Sequence, residues 1–133
     1  MIQRDYYLRM IQEFARALAN FMERRYDDER RDREMADLYR QYVGDYRIVR
    51  NLSVEETMVY AHDQWAADER ICRLGMLAEL LYHEATYRAA PLSTLLYDKA
   101  YQLYDYVETH GDTYSIDRQT KMMAIRRILQ DKG

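Results

Sequence analysis

The chain has one proline and four glycines in 133 residues. Turns draw on these two types, because glycine accepts positive φ and proline presets φ for a bend. A sheet protein of this length needs many turns, so the shortage argues against a strand-rich fold and for few, long helices. The single cysteine, Cys72, excludes an internal disulfide and offers no Cys partner for zinc. No uncharged apolar run approaches ~18 residues, and the opening MIQRDYYLRM lacks the apolar core of a signal peptide, so neither a spanning helix nor secretion is expected. There is no excess of positive charge either. A formal net charge of -3 gives no reason to expect nucleic acid or an anionic membrane as partner. These features together suit a reduced, cytoplasmic setting.

What is present is helical patterning. Apolar residues make up 48% and charged residues 32%, a composition able to fold around a core. At this length one domain is expected, 1–133, with N-terminal helices over 1–64 and a second group over 65–133. The first segment carries two apolar stripes at helical spacing. One runs through Leu8, Ile11, Ala15, Leu18 and Met22, the other through Tyr7, Ile11, Phe14, Leu18 and Phe21. The run ERRYDDERRDRE, residues 23–34, has eleven charged residues of twelve, six acidic and five basic, and reads as a solvated connection or helix face. A break falls near Asp27 and Asp28, although without glycine or proline there one long helix stays open. A second helix follows through Met35, Leu38, Tyr39, Tyr42, Val43 and Tyr46, interrupted near Gly44. SVEE, 53–56, is a capping box that opens a third. The fourth, ERICRLGMLAELLYHEATYR, lines up Ile71, Leu74, Ala78, Leu81 and Ala85. Pro91 or Ser93 starts the fifth, whose stripe is Leu96, Ala100, Leu103 and Val107. THGD ends it, with Gly111 suited to a left-handed cap. Ser115 caps a sixth. The expected fold is all-α, with about six helices.

LLYDKAYQLYDYVE, 95–108, holds four tyrosines in ten positions. At ~100° per residue, Tyr97, Tyr101 and Tyr104 form a stripe about a quarter turn from the apolar one. LAELLYHEATY followed by LLYDKAYQLYDY resembles a tetratricopeptide-type helix pair. Leu77 and Ala78 stand at its Leu-Gly pair, Leu81 at the next apolar site and Ala85 at its glycine. Tyr87 takes the following aromatic position, and Tyr97 and Ala100 match the second helix. The turn has about three extra residues, and the usual closing proline is absent. More widely, DYYLRMIQEFARALA, LYRQYVGD, LSVEE and LAELLYHEA resemble a small bacterial all-helical family. That resemblance implies right-handed, repeat-like stacking of the last helices and implies no activity.

Signatures of chemistry are sparse. The histidines are His62, His83 and His110, and no Glu-x-x-His occurs. Glu79 and His83 lie one turn apart and could share a metal, but a surface hydrogen bond is the plainer reading. Cys72 flanks the core stripe and reads as a small apolar group. Ser53, Ser93 and Ser115 all stand at helix starts, where capping explains them. Trp65 reads as a plug at a helix junction. The basic side chains of the last helix, Arg118, Lys121, Arg126, Arg127 and Lys132, suit a helix C-terminus. The expectation is a non-catalytic protein-interaction module without cofactor or metal, binding a protein partner through Tyr97, Tyr101 and Tyr104. The alternative is an enzymatic or small-molecule-binding domain with a site near His62, Trp65, His83 and Glu84. A homodimer is expected through Tyr7, Met10, Phe14 and Phe21 of the first helix, because two stripes exceed what one bundle edge needs.

Overall fold

The computed structural model describes residues 2–132, with side chains described for 5–131. Among the described residues seven helices follow in chain order: α1 (Ile2–Glu23), α2 (Asp28–Tyr42), α3 (Tyr46–Val49), α4 (Val54–Gln64), α5 (Arg70–Ala85), α6 (Leu92–His110) and α7 (Ile116–Lys132). No strand occurs among the described residues. The fold is all-helical, and among those residues no helix is long and apolar enough to cross a membrane. The helices gather into two compact units, Met1–Leu52 and Ser53–Gly133.

In the first unit the chain breaks after α1, and Asp27 does the capping: its carboxylate accepts from the amide of Arg30 at 2.8 Å. The charged run therefore divides between a short connection and the first turns of α2. There it forms ladders one turn apart, Arg31 with Asp28 and Arg33 with Glu29 at 3.1 and 3.2 Å. α1 turns Met10, Phe14, Leu18 and Phe21 inward, and Phe14 meets Tyr42 of α2 edge-on at 5.1 Å. Leu8, Ile11 and Met22 face out, at 50%, 43% and 56% exposure. Of the two stripes, the aromatic members Phe14 and Phe21, with more area to remove from water, are buried together with the shared Leu18, whereas the shared Ile11 faces out. Gly44 closes α2 with φ 138°, a conformation that side chains with a Cβ rarely adopt. Its amide and that of Val43 both donate to the Tyr39 carbonyl. The short α3 that follows is capped by Asp45, whose side chain accepts from Arg47. Its four residues are too few for periodicity to reveal.

In the second unit the SVEE capping box is formed at both hydrogen bonds. α5 and α6 pair most extensively, antiparallel, since Glu79 meets Tyr104 and Tyr82 meets Tyr97. α7 runs antiparallel to α6, Arg118 reaching Glu108 and Arg126 reaching Tyr101. α4 packs on α5 and α6. Of the stripes expected from spacing, Leu74, Ala78, Leu81, Ala85, Leu96, Ala100, Leu103 and Val107 are buried, and Ile71 is half-buried. Ser115 caps α7 by accepting from the amide of Arg118 at 3.1 Å. Gly111 departs from expectation. Its φ of -86° and ψ of 167° are extended, not left-handed. The need for glycine is steric: an added Cβ would stand 2.7 Å from the Val107 carbonyl oxygen and 3.2 Å from the Ile71 side chain.

Candidate functional site

The second unit contains a cluster of ionisable side chains where α5, α6 and α7 meet. Glu79 projects from the partly open face of α5. Its Oε1 accepts from Lys121 Nζ of α7 at 2.6 Å, and its Oε2 accepts from the hydroxyl of Tyr104 on α6. Lys121 also pairs with Asp117, one turn earlier, at 2.9 Å, and its ammonium lies 5.6 Å from the centre of the Tyr82 ring. Burial alone would lower the Lys121 pKa. The two carboxylates outweigh it and hold the value above the ordinary 10.5. Burial, then the Glu79 carboxylate, holds the Tyr104 hydroxyl well above 10, so it stays protonated and donates. Both oxygens of Glu79 are thereby engaged by charge-assisted bonds, which are stronger than neutral ones.

His83, one turn after Glu79, is buried, with Nε2 4.0 Å from Glu79 Oε1, too long for a hydrogen bond. Burial and then the Lys121 ammonium push its pKa below 6.5, against the opposing pull of Glu79 and Asp117, so it is neutral at pH 7. The surface pair expected of Glu79 and His83 is instead a partly buried junction of three helices. Its two other members come from 25 and 42 residues away, beyond the reach of helical spacing. The cations of α7 likewise do not simply face its C-terminus. Arg118 bonds Glu108 at 2.7 Å and the Thr113 carbonyl at 2.6 Å, and Arg126 Nε donates to the Tyr101 hydroxyl at 2.7 Å while its guanidinium lies over the same ring.

The tyrosine stripe of α6 lies along this junction. Tyr97 and Tyr101 are half-buried, while Tyr104, 2% exposed, belongs to the core. A quarter-turn offset from the apolar stripe left Tyr104 on the flank that α7 covers. Tyr82 of α5 joins the row, its ring edge-on to Tyr97 at 5.7 Å and to Tyr104 at 6.5 Å. Sequence reasoning missed Tyr82. Its signal was the stripe Cys72, Gly75, Glu79, Tyr82, which at helical spacing is the half-buried side of α5.

The four residues of the alternative site have separate surroundings. His62 is exposed beside Asp63, and Trp65 is buried edge-on against Tyr60 at the end of α4. Arg70 closes that end, donating to the carbonyls of Ala61, His62 and Trp65. Glu84 is wholly buried and pairs with Arg88 at 3.0 Å. An open groove of about 760 Å³ lined by Ala90, Pro91, Thr94, Leu95, Asp98 and Leu129 includes none of the four. Cys72 is half-buried, and burial pushes its thiol up to about 11, so it is not a thiolate at neutral pH. Among the described residues no group of three or more His, Cys, Asp or Glu side chains is placed to hold a metal ion. Of the self-association residues, Met10, Phe14 and Phe21 are covered within the chain, and Tyr7 is half-buried.

Compared with protein-family models, with curated proteins and with solved structures, the chain matches none.

Proposed function

We propose that the chain is a non-catalytic helical interaction module that engages a protein partner through the row Tyr82, Tyr97 and Tyr101. The observation that carries this reading is the row itself: three half-buried rings, Tyr82 edge-on to Tyr97, with Lys121 against Tyr82 and Arg126 over Tyr101. Tyrosines fixed in this way offer large, rigid area with polar tips at little further loss of side-chain freedom. The acid-base groups beside them are bonded to one another, which supports a binding role over proton transfer. The pattern LAELLYHEATY with LLYDKAYQLYDY supports reading α5, α6 and α7 as a tetratricopeptide-like stack, an architecture that presents extended binding surfaces. A photo-crosslinking side chain placed at Tyr101, and as control at the exposed Glu29, tests the contact. A discrete adduct at 101 that is lost in Tyr97→Ala is expected. Equal labelling at both positions would remove the reading.

A homodimer through α1 is the second reading, favoured by the apolar residues that α1 leaves outside. Leu8, Ile11 and Met22 share one side with Ala15 and are about half exposed, so the contact passes to them from Met10, Phe14 and Phe21. Sedimentation velocity at micromolar concentration should give a dimer that Ile11→Glu converts to a folded monomer. A wild-type monomer would end this reading.

A further inference from the structure

α7 lies against the α6 flank that carries Tyr101 and Tyr104, and polar contacts have a large share in holding it there. Only Met122 and Ile125 are buried among its described apolar residues, whereas Ile116 and Met123 point outward at 73% and 52% exposure. Ala124, Ile128 and Leu129 are half-buried, and three polar ties add to the hold at three levels along the helix: Arg118 to Glu108, Lys121 to Glu79, and Arg126 to Tyr101. Two of the three end on, or beside, a tyrosine of the stripe. Lys121 shares the Glu79 carboxylate with the Tyr104 hydroxyl, and Arg126 lies over Tyr101. The parts of a surface that open most readily are those with few buried apolar contacts. We infer that α7 is a dissociable cover, whose release as a block exposes the α6 flank that carries Tyr101 and the buried Tyr104.

Ties of this kind respond to ionic strength and to an acidic partner that offers Lys121 and Arg126 other carboxylates. α5 is not releasable in the same sense. Leu74, Leu77, Leu80 and Leu81 are each at most 2% exposed. The cover also explains why a stripe read from sequence as a surface is partly core: Tyr104 is core only while α7 is seated.

The cover gives a partner-binding role its regulation and in that respect rests on the proposed function, but its test needs no partner. Hydrogen exchange of the wild-type chain compares amides 120–128 of α7 with amides 76–84 of α5. The α7 amides should exchange on the order of 100-fold faster, with one common rate across the block, as a sub-global opening does. Raising salt to ~1 M should speed α7 further and leave α5 unchanged. Lys121→Met should speed α7 about tenfold, and Arg126→Met is the second variant. In both, hydroxyl-radical labelling of Tyr104 should rise with the exchange of α7, while that of the buried Tyr39 stays constant. Equal exchange in α5 and α7, or a gradient running in from the α7 C-terminus with no common rate, would overturn the cover. So would faster α7 exchange with Tyr104 still unlabelled. Any of these leaves the crosslinking test at Tyr101 standing, so the two ideas fail separately.

Discussion

α5 and α7 both lie against α6, yet they are held by different physics. α5 buries Leu74, Met76, Leu77, Leu80 and Leu81 along with Ala78 and Ala85. Each large side chain contributes roughly 1.5–3 kcal/mol when removed from water. Among its described residues α7 fully buries only Met122 and Ile125, half-buries Ala124, Ile128 and Leu129, and adds ion pairs and a hydrogen bond that are partly open to solvent. Apolar burial is non-directional and resists salt, whereas partly exposed charge pairs are screened by it. One helix pair therefore serves as a fixed scaffold, and the third helix is attached to it by groups that other charges can compete for.

The comparison can be broken first at its strong side. Leu77→Ala should destabilise the second unit by about 2–5 kcal/mol, the cost of lost transfer plus a cavity, read from denaturant midpoints. A loss under ~1 kcal/mol would mean that α5 is not the scaffold. Gly111→Ala comes next. The helix end must move to clear the Val107 carbonyl, and a loss of roughly 1–3 kcal/mol is expected from the crowding. Gly75→Ala is its counterpart: an added Cβ meets nothing within 4 Å, so gain of helix propensity should stabilise by about 0.5–1 kcal/mol. If both glycines respond alike, the steric account of Gly111 is wrong.

A smaller effect concerns acid. The folded state lowers the His83 pKa below 6.5, so the unfolded chain takes up the proton first. Stability should be full above that ordinary value and should fall as pH drops from it toward the lower folded value, levelling off beneath. The groups that face His83 are Glu79 on its own helix and Lys121 and Asp117 from α7, with the Tyr82 ring against it. The decline between pH 7 and 5 should shrink in His83→Gln, measured against wild type in the same buffers. An unchanged slope would show that other carboxylates account for it all.

Most of the helices were legible in the sequence because they are local objects. The spacing of Leu74, Ala78, Leu81 and Ala85, the capping box at Ser53 and the stop at Gly111 all act within a few residues. The short α3 was not legible, since one turn gives no period. The choice between the two stripes of α1 was not legible either. Both fit a helix, and only the partner Tyr42 on α2 selects Phe14. The site was hidden most fully. Glu79 and His83 could be paired by spacing, but nothing in 133 residues marks Lys121 as the ammonium that reaches Glu79, or Tyr104 as the hydroxyl that completes it. A quarter-turn offset says where Tyr104 points and not what lies there.

The attachment of α7 through Glu79 is tested most directly by a double-mutant cycle of Glu79→Gln and Lys121→Met, followed by denaturant unfolding. The account predicts a coupling of about 1–2 kcal/mol in low salt, as interacting groups in one network show, and a clear reduction in ~1 M salt. Effects that add to within ~0.3 kcal/mol at both salt concentrations would contradict it.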